Sequence, residues 1–283
     1  MGKKNKEIVK KLKGSEGFEQ YYSALFGERW EKLKDALKKE NVHAEWKIED
    51  RESYFLDPAS VFAALLLPVD GGERFLDLCA APGGKTLVIA SRMEKNATLV
   101  SNERSSARKM RLVSVCDSCL PEDVRSRVKI SMSDGSKWCT TQTECYDQIL
   151  LDAPCSSERH VLNDEKYLKD WSEARIKTLS MEQWALLSSA YRLLKKGGYL
   201  LYSTCALNRM ENDEIIRKLK KKFPEAELFF ENEEPVLPSD YRNFCRTEIN
   251  LTPERTEFGF HLLPDAQNGA GPIWFTLIKK PDA

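Results

Sequence analysis

The sequence has 283 residues, of which 41% are hydrophobic and 31% charged, and its 44 basic residues balance its 44 acidic ones. A chain of this length and composition can bury a sizeable core, which excludes a disordered or fibrous protein. No apolar run approaches the roughly 18 residues that a membrane span requires, so we expect no membrane partner.

The first 14 residues are basic, with six lysines and one glutamate, but they resemble neither a secretory signal nor a transit peptide. The eight cysteines are scattered, which is typical of free thiols in a reducing compartment. We therefore expect a soluble, cytoplasmic protein. Three basic clusters are candidate phosphate contacts, although each alone is more typical of a solvated helix face: residues 3–13, 104–111 and 218–222.

The chain changes character near residue 50. From Phe18 to Leu37, apolar residues recur at the three- and four-residue spacing of helices. After a polar stretch, short β-type runs alternate with helical patterns. We therefore divide the chain into a helical N-terminal extension, residues 1–50, and a main domain, residues 51–283.

Five β-type runs in the main domain are separated by helical segments: residues 74–78, 98–102, 128–132, 148–151 and 199–203. This alternation predicts a parallel sheet, and the helix before the fifth run is expected to end at Gly197-Gly198. Runs at 258–263 and 272–278 predict an antiparallel hairpin at one sheet edge. The predicted fold is α/β, a seven-stranded, mostly parallel doubly wound sheet with its ligand site at the carboxyl ends of the strands.

The first strand of this sheet runs into a glycine turn and a helix, at residues 79–86. Glycines let the backbone approach a ligand, and the helix offers unpaired N–H groups. Gly84-Lys85-Thr86 resembles the end of a triphosphate-binding P-loop, but that pattern requires glycine where Cys79 stands. The turn is therefore expected to hold another nucleotide-like ligand.

Acidic residues follow the next two strands. Glu103 lies about 20 residues beyond the glycines, where a carboxylate holds ribose hydroxyls. Asp134 can accept from an adenine amino group, and Gly135 leaves room for the ring. Each alone is more typical of a turn or cap, but together they predict an adenosyl ligand.

Two cysteines, Cys155 and Cys205, follow the fourth and fifth strands and are expected at one sheet edge. A thiolate that adds to C6 of cytosine makes C5 nucleophilic, and a second thiol can assist product release. Asp152 can contact N4 or N3 of the base. The alternative is that both cysteines fill the core. Cys116 and Cys119 have no second pair or histidine at ligand spacing, so no metal is expected.

Three motifs, at residues 77–86, 152–155 and 203–205, together resemble the Nop/Sun family of RNA (cytosine-5) methyltransferases, over about residues 50 to 283. The resemblance implies a Rossmann-like class I methyltransferase fold, S-adenosylmethionine as cofactor and RNA as partner. It implies that Cys205 is the nucleophile that bonds to C6, that Cys155 assists release, and that Asp152 and Lys85 complete the catalytic set. The cofactor contacts that it implies are Cys79, Ala80, Ala81, Pro82, Gly83, Gly84, Lys85, Glu103, Arg108, Asp134, Gly135 and Asp152.

Segments 21–27, 156–160 and 271–275 resemble the mitochondrial small-subunit rRNA branch of that family. The expected substrate is therefore a cytosine in rRNA. A tRNA (cytosine-5) methyltransferase and a catalytically silent, RNA-binding ribosome assembly factor are the alternatives. Because no large N-terminal RNA-binding domain is evident, we expect an accessory protein or a ribosomal assembly intermediate to help select the target. RNA contacts are expected from the basic N-terminus, Arg159 and His160, the latter two within a mobile lid at 156–171.

Overall fold

The computed structural model describes residues 12–231 and 233–282, so most of the basic cluster at residues 3–13 lies outside the described residues. The predicted N-terminal helices form: α1 (Gly14–Phe26) and α2 (Trp30–Lys38), joined by a 3-10 turn at Gly27–Arg29. Phe18 and Trp30 are fully buried in a cluster with Trp171 of the main domain. The extension is therefore packed against the main domain.

Eleven strands are present in the described part of the chain. The short strands β1 (Ala44–Trp46) and β2 (Tyr54–Leu56) form a separate antiparallel pair. The other nine strands form one sheet: β3 (Arg74–Asp77), β4 (Thr98–Asn102), β5 (Val128–Ser131), β6 (Tyr146–Asp152), β7 (Leu194–Thr204), β8 (Glu227–Leu228), β9 (Glu254–Arg255), β10 (Phe260–Leu262) and β11 (Ile273–Lys279).

The strand order is β5-β4-β3-β6-β7-β11-β10-β9, and β8 also pairs with β11. Strands β3 to β7 are mutually parallel, whereas β11 runs antiparallel to β7. The predicted Rossmann-like α/β fold is confirmed. All seven predicted strands are present, and the sheet gains two further strands of two residues each, β8 and β9.

Helices cover both faces of the sheet: α3 (Pro58–Leu65), α4 (Gly84–Arg92), α5 (Ser106–Cys119), α6 (Glu122–Arg125), α7 (Glu158–Leu162), α8 (Glu165–Lys169), α9 (Glu173–Leu193) and α10 (Asp213–Lys222). On β6, Leu150 joins the core beneath α3, α4 and α5, while Ile149 and Leu151 join the core beneath α9 and α10. Alternate residues of a strand point to opposite faces, so an apolar run is buried on both.

The register of the two central strands positions the functional loops. Asp152 at the end of β6 pairs with Ser203 of β7. The chain segments that follow, which carry Cys155 and Cys205, therefore leave the sheet side by side. This is the edge at which the sequence predicted a ligand site.

One local prediction is wrong. Helix α9 ends at Leu193, and Gly197-Gly198 lies inside β7, where the Gly197 N–H donates to the Lys280 carbonyl. Residues 156–171, the expected mobile lid, contain α7 and α8, and Val161 and Trp171 are buried against the N-terminal helices. The mobility of this segment stays a prediction.

Among the helices of residues 12–231 and 233–282, none combines the length and apolar character needed to cross a membrane.

Candidate active site

The glycine turn after β3 is shaped by contacts on both sides. Gly83 has a φ of 122°, which side-chain-bearing residues rarely adopt, and a Cβ there would crowd Val115 and Leu112 of α5. A Cβ at Gly84 would lie 2.9 Å from the Tyr54 ring. The turn borders a cavity of about 130 Å³, here called the glycine-loop cavity, whose lining includes Asp77, Gly84 and Lys85.

Asp77 lies in the 77–86 motif, but the sequence analysis assigned it no role of its own. It is 1% exposed, and its Oδ2 accepts a 2.6 Å hydrogen bond from the Thr86 hydroxyl. Its Oδ1 has no hydrogen-bond partner among the described residues, although Asp77 lines the glycine-loop cavity. Burial raises the pKa of Asp77 to about 7, with the nearby Asp152 and Glu103 adding to the effect. A buried, unpaired carboxyl oxygen fits a hydrogen-bond donor or cation in the cavity.

A second cavity, of about 320 Å³, lies beyond β4 and is here called the carboxylate cavity. Glu103 accepts a 2.8 Å hydrogen bond from the Ser105 N–H through Oε1, and its Oε2 lies 3.4 Å from Arg108. That second oxygen has no hydrogen bond in the part of the chain that the structure describes. A Cβ at Gly135 would lie 2.7 Å from Cδ1 of Leu78, so a larger residue there would require the Leu78 side chain to move.

Asp134 also lines the carboxylate cavity, but it partly serves as a helix cap. Its Oδ1 accepts hydrogen bonds from the Ser136 N–H at 3.1 Å and hydroxyl at 2.7 Å. These bonds lower the pKa of Asp134 despite some burial. The other oxygen, Oδ2, lies 3.8 Å from the Lys137 ammonium. Capping and ligand contact are therefore compatible at this residue.

The two strand-end thiols meet. The Sγ atoms of Cys155 and Cys205 are 2.8 Å apart, and both residues are free cysteines. The Ser157 hydroxyl lies 3.5 Å from the first sulfur and 3.3 Å from the second. The hydrogen bond with Cys205 and burial raise the pKa of the Cys155 thiol well above its ordinary value. Ionisation of the Cys155 thiol is therefore disfavoured.

Lys85 reaches from the glycine turn to the end of β6. Its Nζ donates a 2.7 Å hydrogen bond to Asp152 Oδ2, while Ser203 donates to Oδ1 at 2.8 Å. Burial alone would lower the pKa of Lys85, but the charges of Asp152 and Cys205 raise it. The Lys85 side chain is only 12% exposed. An ammonium and an oriented carboxylate thus stand beside the thiol pair.

A third cavity, of about 560 Å³, opens above Cys205 and is here called the thiol cavity. It shares Ser60 with the glycine-loop cavity, which in turn shares Cys79 with the carboxylate cavity. The three cavities are thus neighbours in a row past the strand ends. Every cofactor residue expected from the sequence lines the glycine-loop or carboxylate cavity except Gly83, which packs against α5.

The two residues expected to contact RNA differ in their surroundings. Arg159 donates hydrogen bonds to the carbonyls of Gly269 at 2.9 Å and Ala36 at 3.4 Å, so it ties α7 to its neighbours. His160 is exposed at the rim of the thiol cavity and packs on Tyr167 with ring centroids 4.8 Å apart. The rim also includes Lys38 and Lys39 from the end of α2, which the sequence had not singled out.

A family model described as "16S rRNA methyltransferase RsmB/F" matches residues 63–261. This match includes the glycine turn, both thiol loops and Lys85. The chain belongs to the RsmB/F family.

Two curated relatives illustrate the range of this family. The chain is 37% identical over 171 residues to the ribosomal RNA small subunit methyltransferase F of Erwinia tasmaniensis, covering 58% of this chain and 35% of that protein. It is 32% identical over 236 residues to the mitochondrial tRNA (cytosine(34)-C(5))-methyltransferase of Danio rerio, covering 81% and 61%. The chain thus spans between about a third and three-fifths of the length of these relatives.

A solved structure has the same fold as this chain. The methyltransferase homolog protein of Pyrococcus horikoshii matches with a TM-score of 0.71 and 23% identity, over 95% of this chain and 96% of that one. At this identity the likeness concerns the fold alone.

Proposed function

We propose that this chain is an S-adenosylmethionine-dependent RNA (cytosine-5) methyltransferase. The observation that carries the proposal is the 2.8 Å approach of the Cys155 and Cys205 sulfurs at the end of a row of cavities. Cytosine C5 methylation requires a thiol that adds to the base, and a second thiol assists product release. Membership of the RsmB/F family and the names of its relatives support the same activity.

The residues around the two inner cavities fit S-adenosylmethionine. Oε2 of Glu103, which receives no hydrogen bond from the described residues, would accept from the ribose hydroxyls, and the carboxylate cavity beside Asp134 and Gly135 would take the adenine. The unpaired Oδ1 of Asp77 would hold the amino group of the methionine part. When bound, S-adenosylmethionine supplies an electrophilic methyl group on a sulfonium ion. We also propose that residues 51–283 form the methyltransferase domain and residues 1–50 its helical extension.

In the proposed reaction, the Cys205 thiolate adds to C6 of a cytosine extruded into the thiol cavity. The Cys155 thiol, whose sulfur lies 2.8 Å from that of Cys205, would donate a hydrogen bond to that thiolate. Asp152 accepts from the N4 amino group or holds a proton near N3, and Lys85 keeps its carboxylate oriented. C5 thereby becomes nucleophilic enough to take the methyl group.

Release reverses the addition. A water molecule that the Cys155 thiol orients removes the C5 proton. The electron pair of that C–H bond forms the C5–C6 double bond, the C6–S bond breaks, and Cys205 leaves as a thiolate. The ring is then aromatic again and carries the methyl group.

We propose rRNA as the substrate, with tRNA as the second candidate because the Danio relative is named for tRNA. A partner protein or a ribosomal assembly intermediate would assist target selection, and the expected location is the cytoplasm. To test the function, the full chain is incubated with methyl-labelled S-adenosylmethionine and separately with rRNA, tRNA and assembly intermediates. Transfer of label to a cytosine C5, located by bisulfite sequencing, is the expected result. A folded protein that binds cofactor and RNA without transferring label would instead be a silent assembly factor.

A further inference from the structure

Two buried glutamates lie behind the thiol loops and take no part in the chemistry proposed above. Glu158 and Glu211 are each 0% exposed. Burying a carboxyl group is unfavourable unless hydrogen bonds compensate, so such residues need a structural or functional reason. Together with Gln183 and Asn208, they form what we call the carboxyl network.

One oxygen of Glu211 holds the backbone on both sides of Cys155. The Ser156 N–H donates to Glu211 Oε2 at 2.9 Å. The Gln183 amide donates to the same oxygen at 2.7 Å and to the Pro154 carbonyl at 2.8 Å. The peptide group after Cys155 thus bonds to this carboxyl oxygen directly, and the peptide group before it is held to the same oxygen through Gln183.

The carboxyl network also reaches the Cys205 loop. The Leu207 N–H donates to Glu158 Oε2 at 3.1 Å, and the Asn208 amide donates to Glu211 Oε1 at 2.6 Å. The strand that precedes Cys205 has further support of its own, because Thr204 pairs with Trp274 of β11 in the sheet. Loss of the network should therefore displace Cys155 more than Cys205.

The N-terminal extension joins the network through one side chain. The Tyr22 hydroxyl of α1 donates a hydrogen bond to Glu158 Oε1, which also accepts from the Ser156 hydroxyl at 2.6 Å. Tyr22 is fully buried. A helix far away in sequence thus supports the loop that follows Cys155.

We propose that Glu211, acting with Gln183, is a positioning residue that fixes Cys155 against Cys205 for the release step. This inference rests on the proposed function. Proton removal from C5 depends on the exact place of the Cys155 sulfur, and small displacements of a reacting group cost large factors in rate. Addition to C6 depends on Cys205, which the sheet holds independently.

The test compares Glu211→Gln with wild type in the full chain, using whichever RNA the wild type methylates. The amide keeps the size of the side chain but replaces one acceptor oxygen by a donor, so it cannot receive all three N–H groups. We expect formation of the covalent protein–RNA adduct to change by less than about threefold and its breakdown to slow by about tenfold or more. Both are measured on denaturing gels under single-turnover conditions. The control is Glu214→Gln, a half-exposed carboxylate that pairs with Arg217 on the surface of α10.

If circular dichroism shows that Glu211→Gln does not fold, Gln183→Met tests the same contact from the other side. It should also accumulate adduct. Equal slowing of addition and release, or an unchanged release rate, in a folded variant would overturn the positioning role. A wild-type chain that methylates no RNA would refute the proposed function itself, which is a different result from an active wild type with normally releasing variants.

Discussion

The Lys85 ammonium lies 2.7 Å from Oδ2 of Asp152, and Ser203 holds the other carboxylate oxygen of Asp152. The lysine comes from the glycine turn after β3, whereas the aspartate ends β6. The contact therefore links the proposed cofactor site to the proposed base site. It also orients the Asp152 carboxylate at the end of β6.

Replacing Lys85 by methionine keeps the packing volume but leaves Asp152 without its cation. We expect kcat to fall about a hundredfold, as for loss of one preorganised polar group, with a smaller change in the KM for RNA. Steady-state methyl transfer measures both. Lys195→Met is the matched control. It breaks a 2.7 Å ion pair with Asp147, which lies at the opposite end of β6 from Asp152. Equal losses in the two variants would contradict a catalytic role for Lys85.

The thiol roles predict opposite outcomes for two small substitutions. Cys205→Ala should abolish both methyl transfer and the covalent adduct, because no thiol remains to add to C6. Cys155→Ala should still form the adduct but release it slowly, so a protein–RNA band should persist on a denaturing gel. A persistent band with Cys205→Ala, and none with Cys155→Ala, would reverse the assignment.

The raised pKa of Asp77 predicts a pH-dependent stability. Burial raises the pKa of this carboxyl to about 7, above the ordinary 3.8 expected after unfolding. The ionised form is therefore penalised only in the folded state. The penalty is absent below about pH 4 and grows until about pH 7, so wild type loses stability over this window relative to a variant that cannot ionise.

Asp77→Asn should remove that loss. The difference in the free energy of unfolding between variant and wild type should change by on the order of 1–3 kcal/mol between pH 4.5 and 7.5. Urea unfolding at several pH values measures it. Asp70→Asn, at an exposed position, is the control, and its free energy of unfolding should vary with pH in the same way as that of wild type. Parallel curves for Asp77→Asn would show that burial does not perturb this group.

Lys38 and Lys39 at the rim of the thiol cavity are placed to contact RNA phosphates. Replacing both by glutamine should weaken RNA binding and lower the slope of log Kd against log salt by about 2, since each phosphate contact contributes about 1. A salt series of binding titrations measures the slope. Lys95, just before β4, and Lys196, near the start of β7, are exposed towards the opposite end of the sheet and provide the control pair. An unchanged slope in the Lys38/Lys39 variant would place the RNA path elsewhere.

Tyr22→Phe removes only the hydroxyl that donates to the buried Glu158. A buried carboxyl that loses a donor costs about 1–3 kcal/mol in the free energy of unfolding. Urea unfolding followed by circular dichroism measures the loss. Tyr21→Phe, at the half-buried neighbouring position, should cost less. If both variants unfold alike, the Tyr22 hydroxyl does not stabilise the carboxyl network.

Much of the site was predictable from sequence because its residues follow strands directly. Once a parallel sheet is inferred, Glu103, Asp152 and Cys205 must emerge at one edge, whatever the details of packing. The β6–β7 register turns that inference into a 2.8 Å approach of two sulfurs. The functional roles of these residues remain predictions until the variants are measured.

Other features depend on contacts between distant parts of the chain and left no local signal. Tyr22 and Glu158 are 136 residues apart, and nothing near either one predicts their hydrogen bond. The start of β7 was missed because Gly197 is held by the Lys280 backbone, not by the preceding helix. Trp171, in a polar stretch that suggested a lid, is buried by aromatic residues of α1.

Strand β11 pairs with β7 over six residues, from Tyr199 to Thr204, which is the residue before Cys205. A premature stop codon before residue 273 would delete β11 and leave β7 with a row of unpaired backbone groups. Exposed sheet edges invite pairing with other chains. Nonsense alleles of this kind should therefore yield insoluble aggregates rather than a shortened enzyme of reduced activity.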